Sequence, residues 1–178
     1  MSDRLVSREA DQDWPGEIFA MLEHYDVRQV SYVPDGGHAS LITKVHQSAN
    51  MRAITLTTEE EGVALAAGAW IGGERSVLLM QSSGVGNCVN MLSLIRICRI
   101  PFLTIVAMRG EWGEVNPWQV PMGSTTEDVF ELMDIRVLRA NTPSEVGGVI
   151  KAATAMVFDG GTPTAVLLAQ RLIGAKAF

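Results

Sequence analysis

Three consecutive carboxylates, Glu59, Glu60 and Glu61, sit near the start of TTEEEGVALAAGAW at residues 57–70, and every residue of that stretch after Glu61 is small or apolar. Acid at a helix start is favoured through the macrodipole by about 0.3–1 kcal/mol, so simple capping after Thr58 accounts for one or two of the three. Successive helical residues point about 100° apart, so three in a row cannot share one environment. One is therefore free to face inward beside Ala64, Ala67 and Gly68, whose small side chains leave room for a bulky partner. A carboxyl in such surroundings can hold or share a proton, which is chemistry rather than solubility.

Two further turns carry unusual residues. PDGGH at residues 34–38 supplies Asp35, Gly36, Gly37 and His38, and SSGVGN at residues 82–87 supplies Ser83, Gly84, Gly86 and Asn87. His38 lies in a glycine-rich turn where a polar side chain can face a substrate. GVGN does not complete a phosphate motif: the dinucleotide fingerprint needs glycine where Val89 stands, and no P-loop lysine follows. Gly84 and Gly86 nevertheless let the backbone approach a flat ring closely, although a tight turn without any ligand explains them equally well. His24 and His46 are isolated and read as surface residues of helices, no Cys/His spacing resembles a metal site, and no serine or cysteine stands in a G-x-S-x-G setting.

The elements that must position these residues alternate along the chain. A helix opens at Trp14 and Pro15, RQVSYV reads as a strand, ASLITKVHQS as a helix and RAITLT as a strand. The glutamate helix follows, then the strand SVLLMQ with SSGVGN as its turn, one helix from Asn87 to Cys98, and the strand PFLTIVA. A polar loop from Met108 to Ser124 leads to a helix TEDVFELM, a strand IRVLRA, a helix from Pro143 to Phe158 and a last strand TAVLLA. Short apolar strands alternating with helices predict an α/β three-layer sandwich: a mostly parallel sheet of about six strands with flavodoxin-like layering. In such sheets ligands bind beyond the carboxyl ends of the strands, where all three unusual turns fall. The loop's two tryptophans, Trp112 and Trp118, suit a docking surface or lid as well as plain packing against the core.

Length and composition bound the rest. The chain's 178 residues suit one domain, read as residues 14–178 after a polar leader at 1–13 that is expected to be disordered. With 47% hydrophobic and 19% charged residues, the chain has more apolar surface than one core hides, which predicts an oligomer. A net charge of −6 argues against nucleic acid. No run approaches the roughly 20 apolar residues of a membrane span and the start lacks a signal-peptide core, so the expected location is cytoplasmic. Cys88 and Cys98 fall on one predicted helix about 15 Å apart, too far for a disulfide, and both read as buried packing residues.

Taken together, VPDGG, TEEEGVALAAGAW, VLLMQSSGVGN and the loop MRGEWGE with its later Gln119 and PMG resemble the pyrimidine-binding domain of thiamine-diphosphate-dependent decarboxylases, in the branch of the sulfopyruvate decarboxylase α subunit and phosphonopyruvate decarboxylase. The resemblance implies that a glutamate after the second strand hydrogen-bonds the N1′ nitrogen of the cofactor's aminopyrimidine ring and favours its imino tautomer. The family spacing of ten residues to an aromatic, here Trp70, selects Glu60; a slip of one residue selects Glu59, and Glu61 is left as a capping or solvent residue. It also implies that Ser83, Gly84, Gly86 and Asn87 border the cofactor. Asp35, Gly36, Gly37 and His38 would then border the substrate, and Arg109, Glu111 and Gln119 belong to a loop typical of this branch. Arg109 can pair with an anionic 2-oxo acid there, or simply anchor the loop.

The Gly-Asp-Gly motif that holds the diphosphate and Mg2+ in such enzymes is absent from the chain. The resemblance therefore implies a β subunit that carries it, within a homo- and hetero-oligomer. The implied activity is decarboxylation of sulfopyruvate to sulfoacetaldehyde, with phosphonopyruvate, or a non-catalytic flavodoxin-like binding module, as alternatives.

Overall fold

A computed structural model describes residues 12–174, so residues 1–11 of the polar leader lie outside the described residues. The first helix, α1 (Trp14–His24), starts where the Asp13 side chain accepts from the Gly16 N–H and Pro15 stands in the first turn, needing no amide donor. The chain continues through β1 (Val27–Tyr32), a 3-10 turn (Gly36–His38), α2 (Ala39–Gln47), β2 (Arg52–Thr55), α3 (Glu59–Ile71) and β3 (Arg75–Gln81). It then forms α4 (Ser82–Cys88), α5 (Leu92–Cys98), β4 (Leu103–Ala107), a second 3-10 turn (Pro117–Gln119) and α6 (Val120–Leu132). The last elements are β5 (Arg136–Ala140), α7 (Pro143–Phe158), β6 (Thr164–Leu168) and α8 (Gln170–Ile173).

The six strands form one sheet in the order β2-β1-β3-β4-β6-β5, and every pairing is parallel. Alternate residues of each strand serve opposite faces. In β3, Val77 and Leu79 pack into a core with Ile18 and Leu22 of α1, Leu41 of α2, and Val146 and Ile150 of α7. Leu78 and Met80 pack the other way, with Val63 of α3, Val85 of α4, Ile95 of α5 and Phe130 of α6. Strands β4 and β6 are buried along their whole length, as a sheet covered by helices on both faces requires.

Helix α3 lies very close to the sheet. A Cβ at Gly62 would stand 2.4 Å from Leu78 Cδ1, and Val63, Ala66, Ala67 and Ala69 are also buried on this helix. Ala64 and Gly68 face solvent, so only Ala67 of the three small residues read as inward lies inside.

Three local readings change. SSGVGN is not a turn but a helix, α4, and the single helix read from Asn87 to Cys98 is two, separated at residues 89–91. The bonds from Ser93 N–H to Asn90 O and from Leu94 N–H to Met91 O are one residue tighter than α-helical, so the axis is reset there. The polar loop is shorter than read, since α6 begins at Val120 with Pro121 in its first turn, and α8 follows the last strand. No helix among the described residues is long and apolar enough to cross a membrane.

The helix break also separates the cysteines' environments: Cys88 is buried and Cys98 exposed, against the reading of both as buried. Burial, with the nearby negative charges of Glu59 and Glu60, pushes the Cys88 thiol up to about 12. Ellman's reagent at neutral pH is therefore expected to titrate one thiol per native chain, Cys98, and both once the chain is unfolded; a reactive native Cys98→Ser variant would contradict this.

Candidate active site

Every strand of a parallel sheet ends at the same edge, so the turns after β1, β2, β3, β4 and β6 converge there. The three glutamates at the head of α3 separate as the 100° helical step demands. Glu59 is buried, its Oε2 accepting from Asn87 Nδ2 at 3.0 Å and its side chain lying over Gly84, where a Cβ would stand 2.3 Å from the carboxylate. Glu61 turns back to accept from the Thr57 N–H at 3.0 Å and the Thr57 hydroxyl at 2.7 Å, which holds its carboxyl below the usual range. Glu60 is exposed, on the same side of the helix as Ala64 and Gly68, and Gly86 and Asn87 of α4 are exposed as well.

The two candidates chosen by sequence therefore have different surroundings. Glu59, the one-residue alternative, faces inward and is engaged, whereas Glu60 faces out. Gly84 is likewise covered by Glu59 rather than open to a ring, while Gly86 is exposed but packed by Met122, whose Sδ would stand 3.2 Å from an added Cβ.

The turn after β1 is tied to this helix pair by side chains. Asp35 caps the 3-10 turn, its Oδ2 accepting from the Gly37 N–H at 3.1 Å, and its Oδ1 accepts from Gln81 Nε2 at 2.9 Å. Gln81 Oε1 in turn accepts from the Ser83 hydroxyl at 2.9 Å. Asp35, Gly36 and Gly37 line a cavity of about 180 Å³ together with Ala107, Met108, Arg109 and Ile173.

His38 does not face that cavity. The turn rotates it under the sheet edge, where it is 1% exposed and hydrogen-bonds the Met80 carbonyl through Nε2 at 3.1 Å. Its Nδ1 has no partner, and burial lowers its pKa, so in the described chain the side chain belongs to the interior rather than to the cavity surface.

Arg109 lines the cavity but is already neutralised. It donates to both oxygens of Glu114, Nε at 2.6 Å and Nη2 at 2.7 Å, and both side chains are buried. Glu114 also accepts from the Gly110 and Asn116 N–H groups and from Gln170 Nε2. The Gln170 amide oxygen accepts from the N–H groups of Glu111 and Trp112, at 3.0 Å each. Glu111 completes the mesh by accepting from the Gln170 N–H at 2.8 Å and pairing with Arg139. Arg109 is thus the anchor of its loop, the second of the two roles open to it from sequence. Gln119 is half-buried with its Oε1 unpartnered and does not line the cavity.

Glu114 and Gln170 are the central residues that sequence reading passed over. A lone polar residue at the end of an apolar strand is the one signal that marked Gln170. Among the described residues no group of three or more His, Cys, Asp or Glu side chains is arranged to hold a metal ion.

Residues 17–135 match the family model of the thiamine pyrophosphate enzyme N-terminal TPP-binding domain. Over 140 residues, 78% of this chain and 84% of the relative, the chain is 34% identical to the sulfopyruvate decarboxylase subunit alpha of Methanococcus maripaludis. It is 32% identical over 151 residues, 84% of this chain and 89% of the relative, to the subunit of the same name from Methanocaldococcus jannaschii. The phosphonopyruvate decarboxylase of Streptomyces viridochromogenes is 34% identical over 160 residues, which are 88% of this chain and 40% of that longer protein. A similar fold occurs in 2-oxoglutarate:ferredoxin oxidoreductase from Magnetococcus marinus, with a TM-score of 0.66 at 14% identity over 86% of this chain and 28% of that one.

The Arg109–Glu114 pair makes two expectations for the loop. Glu114→Gln leaves Arg109 buried without a counter-charge and should cost about 3–5 kcal/mol in denaturant unfolding. The Arg109 guanidinium holds the Glu114 carboxyl down to about 2 from an ordinary 4.5, so its contribution is complete above pH 4.5 and is lost as the pH falls through about 2. Tryptophan fluorescence should show the loop still docked at pH 4 and released only in stronger acid. Release near pH 5 would remove the pair as its anchor.

Proposed function

The chain belongs to the thiamine pyrophosphate enzymes, as an N-terminal TPP-binding domain, and from that membership we propose that it is the α subunit of a decarboxylase that converts sulfopyruvate to sulfoacetaldehyde and carbon dioxide. The substrate half of this reading rests on the likeness to the two archaeal α subunits, each covered over more than four-fifths of its length. The cofactor half rests on one observation: adjacent glutamates at the carboxyl edge of the sheet, one engaged inside the chain by Asn87 and one exposed on the surface of the helix.

A carboxyl that meets a ring carried in from outside has to be free at the surface. Glu60 satisfies that and Glu59 does not, in agreement with the ten-residue spacing to Trp70. The residues therefore fit thiamine diphosphate: Glu60, exposed at the start of α3, offers its carboxyl to the N1′ nitrogen and holds a proton there. Glu59, fixed by Asn87, sets the first turn of α3 and so the direction of Glu60.

Bound there, thiamine diphosphate supplies the electron sink that loss of carbon dioxide from a 2-oxo acid requires. Its diphosphate and Mg2+ would be held by a β subunit bearing the Gly-Asp-Gly motif that this sequence lacks. The cavity of about 180 Å³ beside Gly36 and Gly37 is below the roughly 300–1,000 Å³ of pockets for drug-sized ligands, which suits a small acid. Because Glu114 neutralises Arg109, the counter-charge for the acid's anionic head is expected from the partner side.

Phosphonopyruvate is the second substrate reading, favoured by a relative of equal identity to the first α subunit. Assays of both acids with the reconstituted complex decide between them. Glu60→Gln should lower turnover by about 10²–10⁴-fold without changing the circular dichroism of the chain. Glu59→Gln keeps an acceptor for Asn87 and should act mainly on the cofactor concentration needed for half-maximal rate. If Glu59→Gln is the dead variant and Glu60→Gln turns over normally, the proton-holding role passes to Glu59.

A further inference from the structure

Strand β5 lies at the opposite edge of the sheet from β2, after which the three glutamates follow. Beyond its carboxyl end, one residue holds two guanidinium groups. Arg139 of β5 donates from Nε to the Asn141 side-chain Oδ1 at 3.2 Å, and Arg171 of α8 donates from Nε to the Asn141 main-chain carbonyl at 3.1 Å. Asn141 is itself fixed, since its N–H donates at 2.6 Å to Glu145 Oε2, the carboxylate that closes the capping box of α7.

Holding two like charges around one space costs free energy unless anions answer both. Glu111 answers Arg139, with which it is paired. Arg171 is exposed, and among the described residues its terminal nitrogens have no hydrogen-bond or ion-pair partner. Glu145 does not line the space, and its carboxylate is engaged by the Asn141 and Thr142 N–H groups. One positive charge is left uncompensated, on a chain whose net charge is −6.

That charge faces an open cavity of about 300 Å³, lined by Glu111, Trp112, Arg139, Asn141, Ala169 and Arg171. The volume falls at the small end of ligand pockets. Trp112 is 56% exposed, yet its N–H is held by the Gln170 amide oxygen at 3.0 Å, so the indole is presented from an anchored main chain. The cavity shares no lining residue with the one at Asp35, Gly36 and Gly37.

We propose that this cavity is a second binding site, for a small organic anion in which one carboxylate or sulfonate group is joined to a flat ring. The forked oxygens meet the terminal nitrogens of Arg171 and the Nη1 of Arg139, which has no partner among the described residues. The ring lies on Trp112. A single negative charge matches the one that Glu111 leaves uncompensated. The site stands apart from the decarboxylation and does not depend on which 2-oxo acid is the substrate.

Calorimetry on the full chain, with naphthalene-2-sulfonate and 2-naphthoate as probes, tests the site. The probes should bind saturably below about 1 mM. The uncharged ring of 2-naphthol, and the ring-free anions methanesulfonate and acetate, should each bind at least about tenfold more weakly. Arg171→Gln and Trp112→Ala should each weaken the probes by about tenfold or more, and because both side chains are exposed the melting temperature should not change. Lys151→Gln, which removes an exposed positive charge from α7, should bind as the wild type does. Binding of one probe but not the other supports the site and names its anionic group. Absence of binding by both, or binding undiminished in the Arg171 and Trp112 variants, overturns the site. Equal binding of 2-naphthol overturns the part given to the guanidiniums, and equal binding of methanesulfonate or acetate overturns the part given to Trp112.

Discussion

Burial of the sheet on both faces is the constraint from which the other features follow. A strand with no solvent-facing side must be apolar in nearly every residue, as in β4 and β6, and must be covered above and below. Covering both faces of a parallel sheet forces each connection to cross back over it, so every strand points the same way and every following turn reaches one edge. Asp35 after β1, the glutamates after β2, Ser83 after β3, Arg109 after β4 and Gln170 after β6 therefore meet although they span more than 130 residues of sequence. None of these polar residues lies in the interior of a strand.

At that edge the helical step divides three identical side chains among three roles. Glu61 folds back onto Thr57, Glu59 turns in beneath Asn87, and Glu60 faces out. Burying a carboxylate costs several kcal/mol when it is unpaired, while a hydrogen bond to a charged group returns about 1.5–3 kcal/mol. The Asn87 amide and the N-terminus of α3 together make the inward position of Glu59 tolerable. Gly84 has the same origin: any side chain there would occupy the space that Glu59 fills.

The loop after β4 shows how a polar, tryptophan-bearing segment acquires a fixed shape. Its charges are not displayed but consumed, Arg109 by Glu114, Glu114 also by backbone amides, and both 110-region amides by Gln170. A fully satisfied buried network rigidifies what it connects. The loop can therefore hold one wall of the cavity through Arg109 while keeping Trp112 and Trp118 at the surface.

Local pattern carried most of the fold. The helix from Pro143 to Phe158 was legible to its ends, and each of the six strands was found within three residues of its bounds, because apolar periodicity and turn residues act over a few positions. The same short range misled at SSGVGN, where glycines read as a turn but form α4, and at Cys98, placed inside by periodicity and outside by the helix break. The sequence by itself determined the alternation of strand and helix, the family, and the set of glutamates, since these depend on residue type and neighbours. Only the tertiary structure decided that Glu59 is engaged and Glu60 free, that His38 is core, and that Arg109 is neutralised. Those outcomes depend on Asn87, Met80 and Glu114 arriving from other turns, and a partner brought by the crossing of the chain leaves no mark on the residues beside it in sequence.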